Sequence, residues 1–105
     1  MPARYRLSSG ELKTLSPAQK THGQLFSIGV SRFSRAALAC VISKKVARHA
    51  VDRTKLKRRV RAALLPLLPA LPAGAYVIYA KAGSTKASND EIRAEIAQLM
   101  KRAAA

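Results

Sequence analysis

A small two-layer α+β domain, in the order α-β-β-(β)-α-β-α with the bracketed strand left open, is what this sequence predicts, and three observations carry the prediction. Apolar residues at 24–31 and 36–43 repeat or persist as they do in strands. Ser-x-x-Glu capping boxes at Ser8 and Ser88 announce helices. Between them lies a dense basic stretch that runs with helical period into Pro66. At 105 residues with 49% hydrophobic side chains, the chain holds one modest core and not two. Residues 1–105 are therefore read as a single domain, with a short N-terminal extension at 1–7 and a tail at 103–105 that frays.

Taken in order, Ser8-Ser9-Gly10-Glu11 sets a hydroxyl and a carboxylate three residues apart, each satisfying the other's orphan amide. A short helix near 9–15 follows, with Leu12 and Leu15 turned inward and Pro17 closing it. In 24–31, Phe26, Ile28 and Val30 alternate with Ser27 and Gly29; in 36–43 the run Ala-Leu-Ala-Cys-Val-Ile is nearly continuous and suits a central strand. Residues 44–51 cross to a helix over 53–65. Asp52 is its expected N-cap, a carboxylate that accepts first-turn amides and suits the positive helix end, and Pro66 stops it near Leu65. Pro66 to Gly74 reads as a connector, 75–82 alternates Tyr76 and Ile78 with Val77 and Tyr79 as a strand, and Gly83 opens a turn. The last helix starts at the Ser88-Asn89-Asp90-Glu91 box. Ile92, Ile96, Leu99 and Met100 share one face, and Lys101 and Arg102 complement the dipole at its end.

Twenty Lys and Arg against five Asp and Glu leave a formal charge of +15. Such self-repulsion is relieved by a polyanion, which narrows the partner to nucleic acid or an anionic membrane. No run approaches the roughly 20 apolar residues of a transmembrane helix, and Met1 to Arg6 do not lead into an apolar secretory segment, so a soluble cytoplasmic protein is expected. Cys40 is the sole cysteine; it excludes an internal disulfide, and its apolar neighbours predict a buried small hydrophobe rather than a reactive thiol. His22 and His49 with one cysteine cannot furnish a four-ligand structural zinc site, and no glycine-rich phosphate loop is present. The five carboxylates include no pair beside a base, and Asp90, Glu91 and Glu95 read as helix charges. No catalytic residue, metal ligand or bound cofactor is expected of the chain itself.

Nine of the twenty basic residues fall between Lys44 and Arg61: Lys44, Lys45, Arg48, Arg53, Lys55, Lys57, Arg58, Arg59 and Arg61. On a helix, Leu56, Val60, Ala63 and Leu64 occupy one arc and the cations fill the rest. A merely solvated face mixes signs at i, i+4. Here Arg53 stands above Lys57, Lys57 above Arg61, and Lys55 above Arg59, each pair costing roughly 0.2–0.5 kcal/mol. Phosphates offset that repulsion, because each one neutralised releases condensed counterions and Arg adds bidentate geometry.

The stretch Ser43-Lys44-Lys45-Val46 followed by Ala50-Val51-Asp52-Arg53-Thr54-Lys55-Leu56-Lys57-Arg58-Arg59-Val60-Arg61 resembles the signature of the bacterial ribonuclease P protein family. That signature usually reads Ser-Lys-Lys, then Arg-Asn-Arg-x-Lys-Arg-x-x-Arg. Gly74 to Lys81 resembles the family's strand ending in Ala-Arg, and the similarity spans roughly 36–102. The resemblance implies a small α+β sandwich with a left-handed βαβ crossover, an exception to the usual hand. It implies that Arg53, Lys57, Arg58 and Arg61, with Lys44, Lys45, Thr54 and Lys55 beside them, bind RNA. It further implies a catalytic RNA and precursor tRNA as partners without protein oligomerisation, Mg²⁺ in the RNA-containing holoenzyme, and removal of the 5′ leader by the RNA's own chemistry. Thr54 stands where the signature has Asn and Lys55 where it has a second Arg, which removes an amide and a bidentate donor. The family's leader cleft carries aromatics on its first helix and strand. Here Leu12, Leu15 and Gly29 take such places, leaving Phe26 and Lys81 as candidate leader contacts.

Two other readings share the charge and size. A ribosome-associated RNA-binding protein would need no leader-facing cleft and would not activate tRNA cleavage. A membrane-active protein would use the basic amphipathic helix, but the absence of Trp and the two β segments argue against it.

Overall fold

The computed structural model describes residues 5–13 and 19–103, the side chains of Ser9 and Leu12 excepted. The inward turn of Leu12 and Leu15 and the stop at Pro17 lie outside the described residues. Both capping boxes close as their spacing requires. Ser8 N donates to Glu11 Oε1 at 3.0 Å and Glu11 N to Ser8 Oγ at 3.1 Å, opening α1 (Ser9–Lys13). Ser88 N donates to Glu91 Oε1 at 3.0 Å and Glu91 N to Ser88 Oγ at 3.1 Å, opening α3 (Asn89–Ala103).

Four strands, β1 (Gln19–His22), β2 (Phe26–Ser31), β3 (Ala36–Val41) and β4 (Gly74–Ala80), form one sheet in the order β1-β2-β4-β3. β2 lies antiparallel to β1 and β4, whereas β3 and β4 are parallel and joined through α2 (Ala50–Leu64), and β3, expected in the centre, is the last strand in the order, with only the Arg6 bridge to Leu38 on its other side among the described residues. β1 is the strand the sequence did not mark. Gln-Lys-Thr-His has no apolar alternation and three of its four residues are exposed; it is an edge strand of the polar kind that resists pairing with other chains.

α2 and α3 pack on each other, and α3 also covers β1 and β2. Their buried stripes are Leu56, Val60, Ala63, Leu64 and Ile92, Ile96, Leu99, Met100, the residues that helical period selects. They meet Phe26, Ile28, Leu38, Tyr76 and Ile78 from the sheet. The cap of α2 lies three residues earlier than expected. It is His49, whose carbonyl accepts from Asp52 N and Arg53 N, so Asp52 sits inside the first turn as a dipole-complementing charge. Beyond Leu64 the chain tightens into a 3₁₀ helix over Leu65–Ala70 with Leu68 buried, so the expected connector is itself ordered structure.

A second, smaller cluster lies on the reverse face of the sheet: Leu7, Ala37, Ala75 and Val77, with Phe33, Ala39 and Tyr79 packed against it. Leu7 N donates to Leu38 O at 3.0 Å and Arg6 bridges Leu38, so residues 6–7 are part of the fold and not a loose extension. Leu7 is apolar and has this cluster to enter. At the other end Ala103 is helical and packs against the main core, so it does not fray as expected.

Candidate nucleic-acid interface

The buried stripe of α2 divides its cations into two flanks. Lys57 and Arg61 lie on the side of β3, near enough to Cys40 that their charges draw its thiol pKa down while burial drives it up, to about 11. Thr54 is exposed on the same side, and Arg58 is exposed at the solvent apex. Lys44 and Lys45 are exposed in the turn before the helix, where Val46 N and Ala47 N both donate to Ser43 O at 3.1 Å. Lys57, Arg61 and Thr54 thus share one flank of α2, with Arg58 at its apex and Lys44 and Lys45 in the turn that leads into it.

Two of the basic residues are tied into the protein. Arg53 Nη1 donates to Ala47 O at 2.9 Å and Arg48 O at 3.0 Å, holding the entry of α2. Arg59 Nε donates to Asn89 Oδ1 at 2.7 Å, and its two Nη atoms reach Thr85 O and Ala87 O. Lys55 stands apart from Lys57 and Arg61. It lines a cavity of about 430 Å³ between the start of α2 and Thr85, with Arg48, His49 and Arg59.

The register of the sheet builds a second feature on its reverse face. Lys20, Gly29, Val77 and Ala39 form one row across the strands, and His22, Ser27, Tyr79 and Val41 form the next. Most of these side chains are small, so the half-buried Tyr79 stands on a shallow floor, with Lys20 Nζ 4.9 Å from its ring centroid. Gly29 adds no side chain to this row and is itself buried, as are Ser27 and Val77. Phe26 points the other way and is completely buried in the main core, which removes it as a leader contact. Lys81 Nζ donates to Gly23 O at 2.7 Å and secures the β1–β2 turn. Tyr79 and Lys20 were not singled out from sequence, because only the strand order brings β1 and β4 to either side of β2.

The family model for ribonuclease P matches residues 1–104. This chain belongs to the ribonuclease P protein family. The match reaches well beyond the 36–102 over which the resemblance was legible and takes in β1, β2 and the reverse-face residues. Among relatives, the chain is 36% identical over 104 residues to the ribonuclease P protein component of Xanthomonas campestris pv. campestris (strain B100), covering 98% of this chain and 70% of that one. It is 43% identical over 68 residues to that of Xanthomonas euvesicatoria pv. vesicatoria (strain 85-10), covering 65% and 47%. In fold it matches the RNase P protein of Staphylococcus aureus with a TM-score of 0.82 at 18% identity, covering 94% of each chain. It matches that of Thermotoga maritima with a TM-score of 0.73 at 20% identity, covering 81% and 83%. Membership makes the chain a protein component of an endoribonuclease ribonucleoprotein of tRNA 5′-end processing, partnered with the ribonuclease P RNA.

Among the described residues no helix is long and apolar enough to cross a membrane, and no three of His, Cys, Asp and Glu gather as a metal site would require. Three of the five carboxylates hold the fold. Glu11 accepts from Arg35, Glu91 from Ser88, and Glu95 from the β1–β2 turn.

Proposed function

We propose that this protein docks on the catalytic RNA of ribonuclease P through Lys57, Arg58 and Arg61, with Lys44, Lys45 and Thr54 beside them, and receives the single-stranded leader of precursor tRNA on the reverse face of the sheet. The observation that carries the reading is the placement of Lys57 and Arg61 side by side at the β3 flank of α2, with no hydrogen bond or ion pair to them among the described residues. A pair of like charges one turn apart costs folding energy and gains it from a phosphate track. Arg53 acts one step back, by fixing the entry of the helix, and Lys55 faces the other flank.

Tyr79 then offers a ring face to a leader base, and Lys20 a charge to its phosphate. The RNA carries out the hydrolysis, and the protein contributes position and charge. Mg²⁺ belongs with the RNA phosphates, given its preference for hard oxygen ligands and retained water. The protein works in the cytoplasm as a monomer within the ribonucleoprotein.

The test is cleavage of a 5′-extended precursor tRNA at low Mg²⁺ by a bacterial ribonuclease P RNA, with and without this chain. Stimulation at the mature 5′ end, lost in the double variant Lys57→Ala, Arg61→Ala, is the expected result. That variant should also bind the RNA with a salt slope flattened by roughly 0.7–0.9 for each lost phosphate contact. Tight RNA binding without stimulation would make this a general RNA-binding protein instead.

A further inference from the structure

Arg59 on the far flank of α2 and Arg93 on α3 are not absorbed by that docking face, whose Arg58 stands at the solvent apex between the two flanks. Measured around the helix from Leu56, Lys57 and Arg61 lie about 100–140° in one direction, whereas Arg59 and Lys55 lie about 60–100° in the other. On this second side a groove of about 190 Å³ runs between α2 and α3, lined by Arg58, Arg59, Ala62, Asn89 and Arg93. Three guanidiniums surround it and no carboxylate does. Arg59 is pinned across the seam by Asn89 Oδ1 and the carbonyls of Thr85 and Ala87, so its charge is fixed at the groove floor. Arg58 and Arg93 are exposed on opposite helices, and among the described residues neither has a hydrogen bond or ion pair; Asp90, three residues before Arg93, makes none with it.

Arg59 joins α2 to α3, but among the described residues Arg58 and Arg93 make no contact that offsets the repulsion between them. An anion seated between Arg58 and Arg93, above Arg59, would remove the repulsion and gain charge-assisted hydrogen bonds from both helices. The groove is too narrow for a folded partner and has the right scale for a phosphodiester. The cavity lined by Arg48, His49, Asp52 and Lys55 shares Arg59 with it and continues toward the start of α2. A helix with its side chains is about 10–12 Å across, so a strand seated here is separated from one on Lys57 and Arg61 by the body of α2.

We propose that the α2–α3 groove seats a second segment of RNA backbone, so that α2 stands as a wedge between two RNA strands. The proposal rests on the RNA-docking reading above and adds Arg93 and Arg59 to it, Arg93 as a phosphate contact and Arg59 as the fixed charge beneath.

The test uses the full chain with ribonuclease P RNA. Arg93→Glu should weaken binding about tenfold near 0.15 M salt and flatten the salt slope, and Arg93→Lys should restore most of both; Arg93→Gln guards against an effect of the introduced carboxylate. In a Cys40→Ala background, a hydroxyl-radical probe is tethered through Arg93→Cys or through Ala50→Cys, an exposed position on the Lys57 flank. Cleavage of two different RNA segments is the expected result. Cleavage of one and the same segment from both positions, or unchanged affinity and slope in Arg93→Glu, overturns the second track. If the Lys57 and Arg61 changes are also silent, the docking reading itself has failed.

Discussion

The carboxylate of Glu95 accepts from the backbone N–H of Phe26 at 2.7 Å, tying the middle of α3 to the first residue of β2. The same side chain also accepts from Leu25 N at 2.7 Å and Gln24 N at 3.0 Å. Three amides that the β1–β2 turn leaves unpaired are thus closed by one side chain about 70 residues away in the chain. Gly23 makes room for it: a Cβ there would stand 2.9 Å from Glu95 Oε2. Lys81 completes the clamp through Gly23 O.

Replacing Glu95 with Ala should therefore destabilise the protein by about 2–3 kcal/mol, since a half-buried charged acceptor is lost and amides beside the core are orphaned. Chemical denaturation should show a lower midpoint with little change in slope. An unaltered midpoint would mean that the turn is held by its backbone pairing alone.

Glu11 gives the fold an acid-sensitive joint. Its carboxylate accepts from Arg35 Nη1 at 2.9 Å and Nη2 at 3.1 Å as well as from Ser8 N, and these contacts lower its pKa from 4.5 to about 2. A lowered native pKa means that the contribution to stability is complete above about 4.5 and is lost as the pH falls toward 2. The stability difference between the wild type and Glu11→Gln should be constant above pH 5 and shrink between pH 4.5 and 2. A difference that persists unchanged at pH 2 would remove the ion pair as its source.

Cys40 sits on the helix side of β3, half-buried against the main core, and burial raises its thiol pKa to about 11 despite Lys57 and Arg61 nearby. Since the thiolate is the reactive form, alkylation at pH 8 should be tens to hundreds of times slower in the native protein than in denaturant. Comparable rates in the two states would place the thiol outside the core. RNA on Lys57 and Arg61 would slow alkylation further by covering the approach.

Where a feature depends on local spacing, the sequence was sufficient. The capping boxes at Ser8 and Ser88 and the stripes of α2 and α3 follow from interactions three and four residues apart. Features that depend on strand order were not legible. Gln19 to His22 becomes a strand only because β2 offers it a partner, and Lys20 meets Tyr79 only because β2 lies between β1 and β4. The start of α2 was missed for a related reason. Asp52 is a strong capping residue in isolation, but Arg53 bonding to Ala47 and Arg48 carries the helical turn back to His49. Within the basic cluster, composition could not separate Arg59, which joins two helices, from Lys57, which faces outward.

Tyr79 is the residue on which the leader-binding reading turns. Among the described residues of its two rows Tyr79 carries the one phenol or phenyl ring, with the smaller imidazole of His22 in the same row and Phe33 packed on the same face. Tyr79→Ala should weaken binding of a precursor tRNA carrying a leader by about 1–3 kcal/mol while leaving mature tRNA unaffected, and Tyr79→Phe should retain most of the affinity because the ring face and not the hydroxyl is used. Lys20→Ala should act on the same leader-dependent term and reduce its salt dependence. The comparison is made with the assembled ribonucleoprotein, titrating precursors with leaders of increasing length. An equal loss for mature and precursor tRNA would show that Tyr79 supports the fold rather than the leader, because its ring also packs on Val77 and Ala39.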